Sequence, residues 1–156
     1  MTRRTLSILF ILLLVILIGS FREILFVNLN QQISFIQGDI PDNGLLDYMH
    51  FLEHLDLQTL ILLKWVFTLL YCALFWIIGK YILNKILNWN EGSNWYTIVY
   101  VSIFILAGIL FCLGHLEFEK ENFFRLSRLF MGALQSPIPV LIFVPLLFLK
   151  KRLETD

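Results

Sequence analysis

The sequence predicts an all-α integral membrane protein with four transmembrane helices, on three observations. Of 156 residues, 58% are hydrophobic and 15% charged, with a mean hydropathy of +0.78, against about 25% charged in soluble domains. That leaves too little polar surface for a water-soluble fold. Four apolar blocks follow one another at residues 6–26, 57–78, 96–116 and 129–149. Each has about 20 residues, which at about 1.5 Å per residue crosses a hydrocarbon core of roughly 30 Å. Finally, the charges between the blocks alternate. Arg3, Arg4, Lys80, Lys85, Lys150, Lys151 and Arg152 fall on one side, and Arg22, Lys120, Arg125 and Arg128 on the other. The side richer in basic residues is expected to be cytoplasmic, which places both termini there. The whole chain, 1–156, reads as a single four-helix transmembrane domain.

In the first block the apolar core Ile8–Gly19 also suits a secretory signal. Cleavage after Ser20 would need a small residue two positions earlier, where Ile18 stands, so a retained anchor is expected. Arg22 and Glu23 then sit at its outer end, near the headgroups. An outer loop follows over about residues 28–56, with a turn-forming run from Gly38 to Gly44. After that run Leu45, Met49, Leu52 and Leu55 recur near helical spacing, predicting a short amphipathic helix on the outer leaflet. Asp42 or Asn43 is the expected cap.

The second block contains Lys64, about 10 Å inside its outer end. It either snorkels to the headgroups or pairs, with Glu23 as first partner and Asp56 as second. Trp89, Trp95 and Tyr96 at the start of the third block read as interfacial anchors. Arg125 and Arg128, three apart before the fourth block, share a helical face that suits lipid phosphate, an acidic partner or the nearby Glu117, Glu119 and Glu121. Pro137, Pro139 and Pro145 interrupt the fourth block, and a three-span arrangement with this block lying in the interface or re-entering is the alternative. Gln135 and Ser136 beside those prolines offer polar atoms to a neighbouring helix or a partner protein.

Chemical motifs are absent from the sequence: no glycine-rich phosphate loop, no nucleophile elbow, no paired-cysteine knuckle. Cys72 and Cys112 lie at different depths and are expected to be unpaired apolar fillers. His50 and His54 stand four apart, a helical spacing that can hold a metal, but two histidines fall short of the three or four ligands a zinc site uses. A solvated polar face is therefore expected, with no metal and no cofactor. No basic stripe suggests nucleic acid.

The order of pieces resembles the small exosortase-system-associated membrane proteins of Bacteroidota. These pieces are a basic N-terminus, the run Phe21-Arg22-Glu23-Ile24-Leu25-Phe26, a thirty-residue outer loop, Arg125 and Arg128, then Gln135-Ser136-Pro137 and a basic tail. That resemblance implies a multi-pass protein of the bacterial inner membrane, encoded beside a transpeptidase-like sorting enzyme. The catalytic cysteine, arginine and histidine of an exosortase have no counterpart around Cys72 or Cys112. The functional expectation is a non-enzymatic accessory or scaffold subunit contacting membrane lipids and a larger integral membrane protein. Arg22, Glu23, Lys64, Arg125, Arg128, Gln135, Ser136 and Pro137 are its contact candidates. A small homo-oligomeric transporter or channel is the alternative, and an outward-facing enzyme using His50, His54 and His115 a third reading.

Overall fold

The computed structural model describes residues 3–86, 88–116, 120–142 and 145–146. Among these every regular element is helical, and three helices are long and apolar enough to cross a membrane. Helix α1 runs Arg3–Gln37, α2 Leu57–Tyr81, α3 Asn90–Leu116 and α4 Lys120–Leu134.

Helix α1 differs most from expectation. It continues ten residues into the predicted outer loop, and its span-like stretch is Leu13–Gln37 in place of 6–26. Arg22 and Glu23 do not end it, because apolar residues resume at once with Ile24, Leu25 and Phe26. Its packed side is a stripe of alternating three- and four-residue steps, Val15, Ile18, Arg22, Leu25, Leu29 and Gln32, the spacing that keeps side chains on one helical face. Gly38 ends the helix with φ +81°, while the amide of Asp39 donates to Ser34 O (2.9 Å). This is a Schellman-type close, in which glycine occupies the left-handed position without a Cβ penalty.

The segment predicted as an amphipathic α-helix is a 3₁₀ helix, Asp47–His54, folded back on α1. Its start follows Leu46, with no side-chain cap from Asp42 or Asn43. Met49 and Leu52 are buried in a cluster with Leu25, Phe26, Leu29, Leu60, Tyr71 and Phe75, while Tyr48 and Phe51 remain exposed. Two buried amides on α1 fix the fold-back. Asn28 Oδ1 accepts from the Leu46 amide (3.0 Å), and Gln32 Oε1 accepts from Asn43 Nδ2 (3.3 Å).

Helix α2 begins where its sequence block begins, with Asp56 accepting from the amide and hydroxyl of Thr59, a side-chain N-cap. A π turn, Ile82–Ile86, carries it to a tight reversal in which Asn88 adopts φ 52° and the Trp89 amide donates to Leu83 O (2.9 Å). Helices α2 and α3 then pack closely enough that a Cβ on Gly79 would stand 2.4 Å from the Tyr96 ring. Tyr96 is buried there and donates to Phe75 O (3.2 Å), so it is a packing residue and not an interfacial anchor.

The fourth predicted span is not one continuous helix among the described residues. Helix α4 starts nine residues before Leu129, lies antiparallel to α3 and stops at Leu134. Ser127 Oγ donates to Ala107 O (2.8 Å), and the Phe111 and Phe124 rings meet at 5.6 Å. A turn at residues 135–137 follows, then helical geometry at residues 138–142. The rest of the block lies largely outside the described residues, as do Lys150, Lys151 and Arg152. The bundle has a loop end, which holds the start of α2 and the end of α3, and a turn end at the α2–α3 reversal.

Candidate functional site

All four helices bring a polar group to one level near the middle of the bundle. The Phe26 ring packs on Tyr71 at 6.2 Å, and Tyr71 lies near the centre of α2. Arg22, one helical turn from Phe26, is therefore about 6 Å along the axis from mid-length. Its side chain is 15% exposed. Nη1 donates to Glu23 Oε2 (2.7 Å), Nη2 donates to Gln135 Oε1 (3.0 Å), and Cζ sits 4.7 Å above the Phe26 ring. Nε is buried without a hydrogen-bond partner among the described residues.

Gln135 is the residue after the last turn of α4, so the guanidinium stands at that helix's C-terminus. Unpaired carbonyls give this end a partial negative charge, which favours a cation. Other groups serve the remaining carbonyls of the break. Tyr100 Oη on α3 lies 2.6 Å from Leu134 O and 2.8 Å from Cys72 O, and Ser136 Oγ donates to Ala133 O (2.7 Å). Pro137, which has no amide hydrogen to place, packs on Gly19: a Cβ there would meet the proline ring at 3.0 Å. A backbone interruption is tolerated at membrane depth when its freed groups are met inside the protein.

Glu23 points the other way and is 67% exposed. It stands among exposed apolar side chains of α1, Leu17, Phe21, Ile24 and Val27. Near the loop end a second polar group differs in character. The Trp65 ring on α2 meets Phe111 on α3 at 5.2 Å, and Phe111 meets Phe124 on α4, so these three residues share a level. Lys64 precedes Trp65 in sequence, while Arg125 and Arg128 follow Phe124 on exposed positions of α4. Lys64 is half-buried and pairs with neither Glu23 nor Asp56; the charge acting on it is Arg128, of like sign.

The sequence-predicted contact residues thus divide. Arg22, Gln135, Ser136 and Pro137 meet one another or the bundle interior, and Gln135 is spent on Arg22, with no amide left facing outward. Glu23, Arg125 and Arg128 remain on the surface. In the 3₁₀ helix His50 lies beside Glu53, with Nδ1 2.9 Å from Oε1, and 3.9 Å from Asp47. Three residues per turn set residues at i and i+3 in line, so His54 turns away from His50. Among the described residues no three His, Cys, Asp or Glu side chains are arranged to hold a metal ion. Glu117 and Glu119 lie outside the described residues. Cys72 and Cys112 are unpaired.

Sequence reasoning missed Tyr100, Asn28 and Gln32. Asn28 and Gln32 are four apart and in step with Arg22 and Leu25, a polar continuation of the apolar stripe that marks α1 as longer than one span. Comparison with known proteins finds no family model that matches the chain, no similar curated protein and no similar solved structure.

Proposed function

We propose that the chain is a non-enzymatic accessory or scaffold subunit of a membrane complex, docked through the exposed face of α1 to a transmembrane segment of a larger protein. The carrying observation is Glu23, a carboxylate that pairs with Arg22 (2.7 Å) through one oxygen yet is 67% exposed near mid-length of a helix otherwise clad in Phe21, Ile24 and Val27. A charged group facing lipid at such depth costs several kcal/mol, and intramembrane ionisable residues normally face protein or water. A second copy is the poorer occupant, because a twofold contact centred there would oppose two carboxylates. Charge sorting supports an orientation with both termini cytoplasmic and the loop end outside. Resemblance to exosortase-associated proteins supports the bacterial inner membrane and a sorting enzyme as the larger protein.

Affinity purification from the native membrane in mild detergent tests this reading. A stoichiometric membrane partner is expected with the natural chain and lost with Glu23→Gln, whose amide oxygen still accepts from Arg22, while the Glu23→Gln chain itself is still recovered. Monodisperse, partner-free protein that supports function alone would remove the proposal. The helix break at Gln135–Pro137 favours a second reading, a small oligomeric transporter, since transporters place interrupted helices at their binding sites. Solute flux through liposomes holding only this chain, abolished by Lys64→Ala, would establish it instead.

A further inference from the structure

We propose that residues 38–56 form a re-entrant hairpin that dips beside α1 into the loop-end half of the membrane and lines a water-filled crevice with Asp47, His50 and Glu53. The inference is independent of partner docking at α1. Contacts with α1 set the course of the chain. Asn43 Nδ2 donates to Gln32 Oε1 (3.3 Å), a Cβ on Gly44 would stand 3.7 Å from Gln31 Nε2, and the Leu46 amide donates to Asn28 Oδ1 (3.0 Å). From Gly38 the chain therefore descends antiparallel to α1. Asn28 lies nine residues before Gln37, about 14 Å down the axis from the helix end. The 3₁₀ helix Asp47–His54 then climbs back. Its eight residues rise about 16 Å, and near its top Glu53 Oε1 accepts from the same Asn43 Nδ2 (2.8 Å).

Apolar surface on the neighbouring helices brings lipid to the same height. Phe35 and Ile36 near the end of α1, and Ile61, Leu62, Trp65 and Val66 near the start of α2, are exposed, as suits hydrocarbon and not water. The bottom of the hairpin lies below them. With three residues per turn, the 3₁₀ helix divides into three lines of side chains. Met49 and Leu52 pack inward, and Tyr48 and Phe51 are exposed apolar rings that suit lipid. On the third line Asp47 is fully exposed, His50 about half and Glu53 over a third. Ionisable groups and irregular backbone at membrane depth need water or protein around them. Water can follow this line from the loop end, because Asn43 and the exposed Asp42 continue it upward to the rim.

The test places single cysteines in the full-length chain in nanodiscs, with the exposed Cys112 replaced by Ala and the buried Cys72 as the blank. A charged, membrane-impermeant methanethiosulfonate is the probe. D47C and H50C should react within about tenfold of the rim variant D39C, and Y48C and L62C about a hundredfold more slowly, since the reacting thiolate forms in water and not in lipid. A nitroxide on Y48C should lie about 10 Å deeper than one on D39C by power saturation with oxygen and a nickel complex, from the descent along α1. Asp47 and His50 are exposed, so either variant serves if the other folds poorly by circular dichroism. Equal depths for the two nitroxides, or Y48C reacting as fast as D47C, would mean that the end of α1 projects past the membrane, and overturns the hairpin. Protection of D47C and H50C equal to that of L62C overturns the crevice and leaves the polar line covered by something other than water.

Discussion

Arg22 and Arg128 belong to one helical bundle and meet opposite fates. At mid-length, Arg22 has a carboxylate, an amide, an aromatic face and a helix C-terminus gathered around it. On the loop side of mid-length, Arg128 has among the described residues one backbone carbonyl as partner and a lysine of its own sign. Water and headgroups explain the contrast. Deep in the bundle a cation must be neutralised by the chain itself, because nothing else reaches it. Arg128 lies on an exposed position of α4, where its long stem can carry the guanidinium toward the loop end and water, so its charge needs no partner from the chain.

The contrast predicts unequal costs of truncation. Arg22→Leu leaves Gln135 and Glu23 without their donor and the α4 terminus without its cation. Breaking a largely buried pair in this way costs about 3–5 kcal/mol, and the exposure of Glu23 sets the expectation near 3. Arg128→Leu should stay within about 0.5 kcal/mol, as surface substitutions do. Thermal unfolding in detergent measures both, and the double variant Arg22→Leu/Glu23→Leu should recover much of the single loss. Equal shifts for Arg22→Leu and Arg128→Leu would erase the distinction.

A smaller effect sharpens the mid-length site. Tyr100→Phe removes one hydroxyl from between the carbonyls of Cys72 and Leu134 while keeping the ring beside Tyr96. A lost buried hydrogen bond costs about 1–2 kcal/mol. The local consequence should exceed the global one: hydrogen exchange should quicken at Ala133–Ser136, at the end of α4, before it quickens in α3. Uniform quickening across the bundle would mean that Tyr100 packs the helices without securing the break.

Composition and block length were sufficient to read the helical class and the spans of α2 and α3, since an apolar run of that length has few other outcomes. Asp56 also stands where a cap belongs, directly before Leu57. Failure came where two signals compete. Arg22-Glu23 looks like a span terminus because adjacent charges usually lie at headgroups, yet here tertiary contacts from Gln135, 113 residues away, make an interior position tolerable. No local window contains that partner. The break inside the fourth block is hard to place for the related reason that Gln135-Ser136-Pro137 interrupts a helix only when something receives its carbonyls, and Tyr100 does so from another helix. His50 and His54 looked aligned because a spacing of four suits an α-helix; the 3₁₀ winding of Asp47–His54 separates them.

The smallest expected effect concerns the loop end, where polar contacts hold a segment that water can reach. Glu53 Oε1 accepts from Asn43 Nδ2 (2.8 Å) and stands 2.9 Å from His50 Nδ1, while Asn43 also reaches Gln32 on α1. The Asn43 hydrogen bond first, and His50 second, hold the Glu53 carboxyl below its ordinary value of 4.5. Asp56 is lowered in the same direction, chiefly by the Thr59 hydroxyl at the start of α2. A carboxylate whose pKa is depressed in the folded state supports that state above its ordinary pKa and loses the support as pH falls through the depressed value. The loop should therefore loosen on acidification below pH 4.5 and not on alkalinisation. Hydrogen exchange over residues 38–56, corrected for the intrinsic rate, should rise in acid relative to the helical interior. Glu53→Gln should flatten that response, because its amide oxygen still accepts from Asn43 but no longer titrates. An acid response of undiminished size in Glu53→Gln would place the sensitivity elsewhere, with the Asp56 cap as the remaining carboxylate to test.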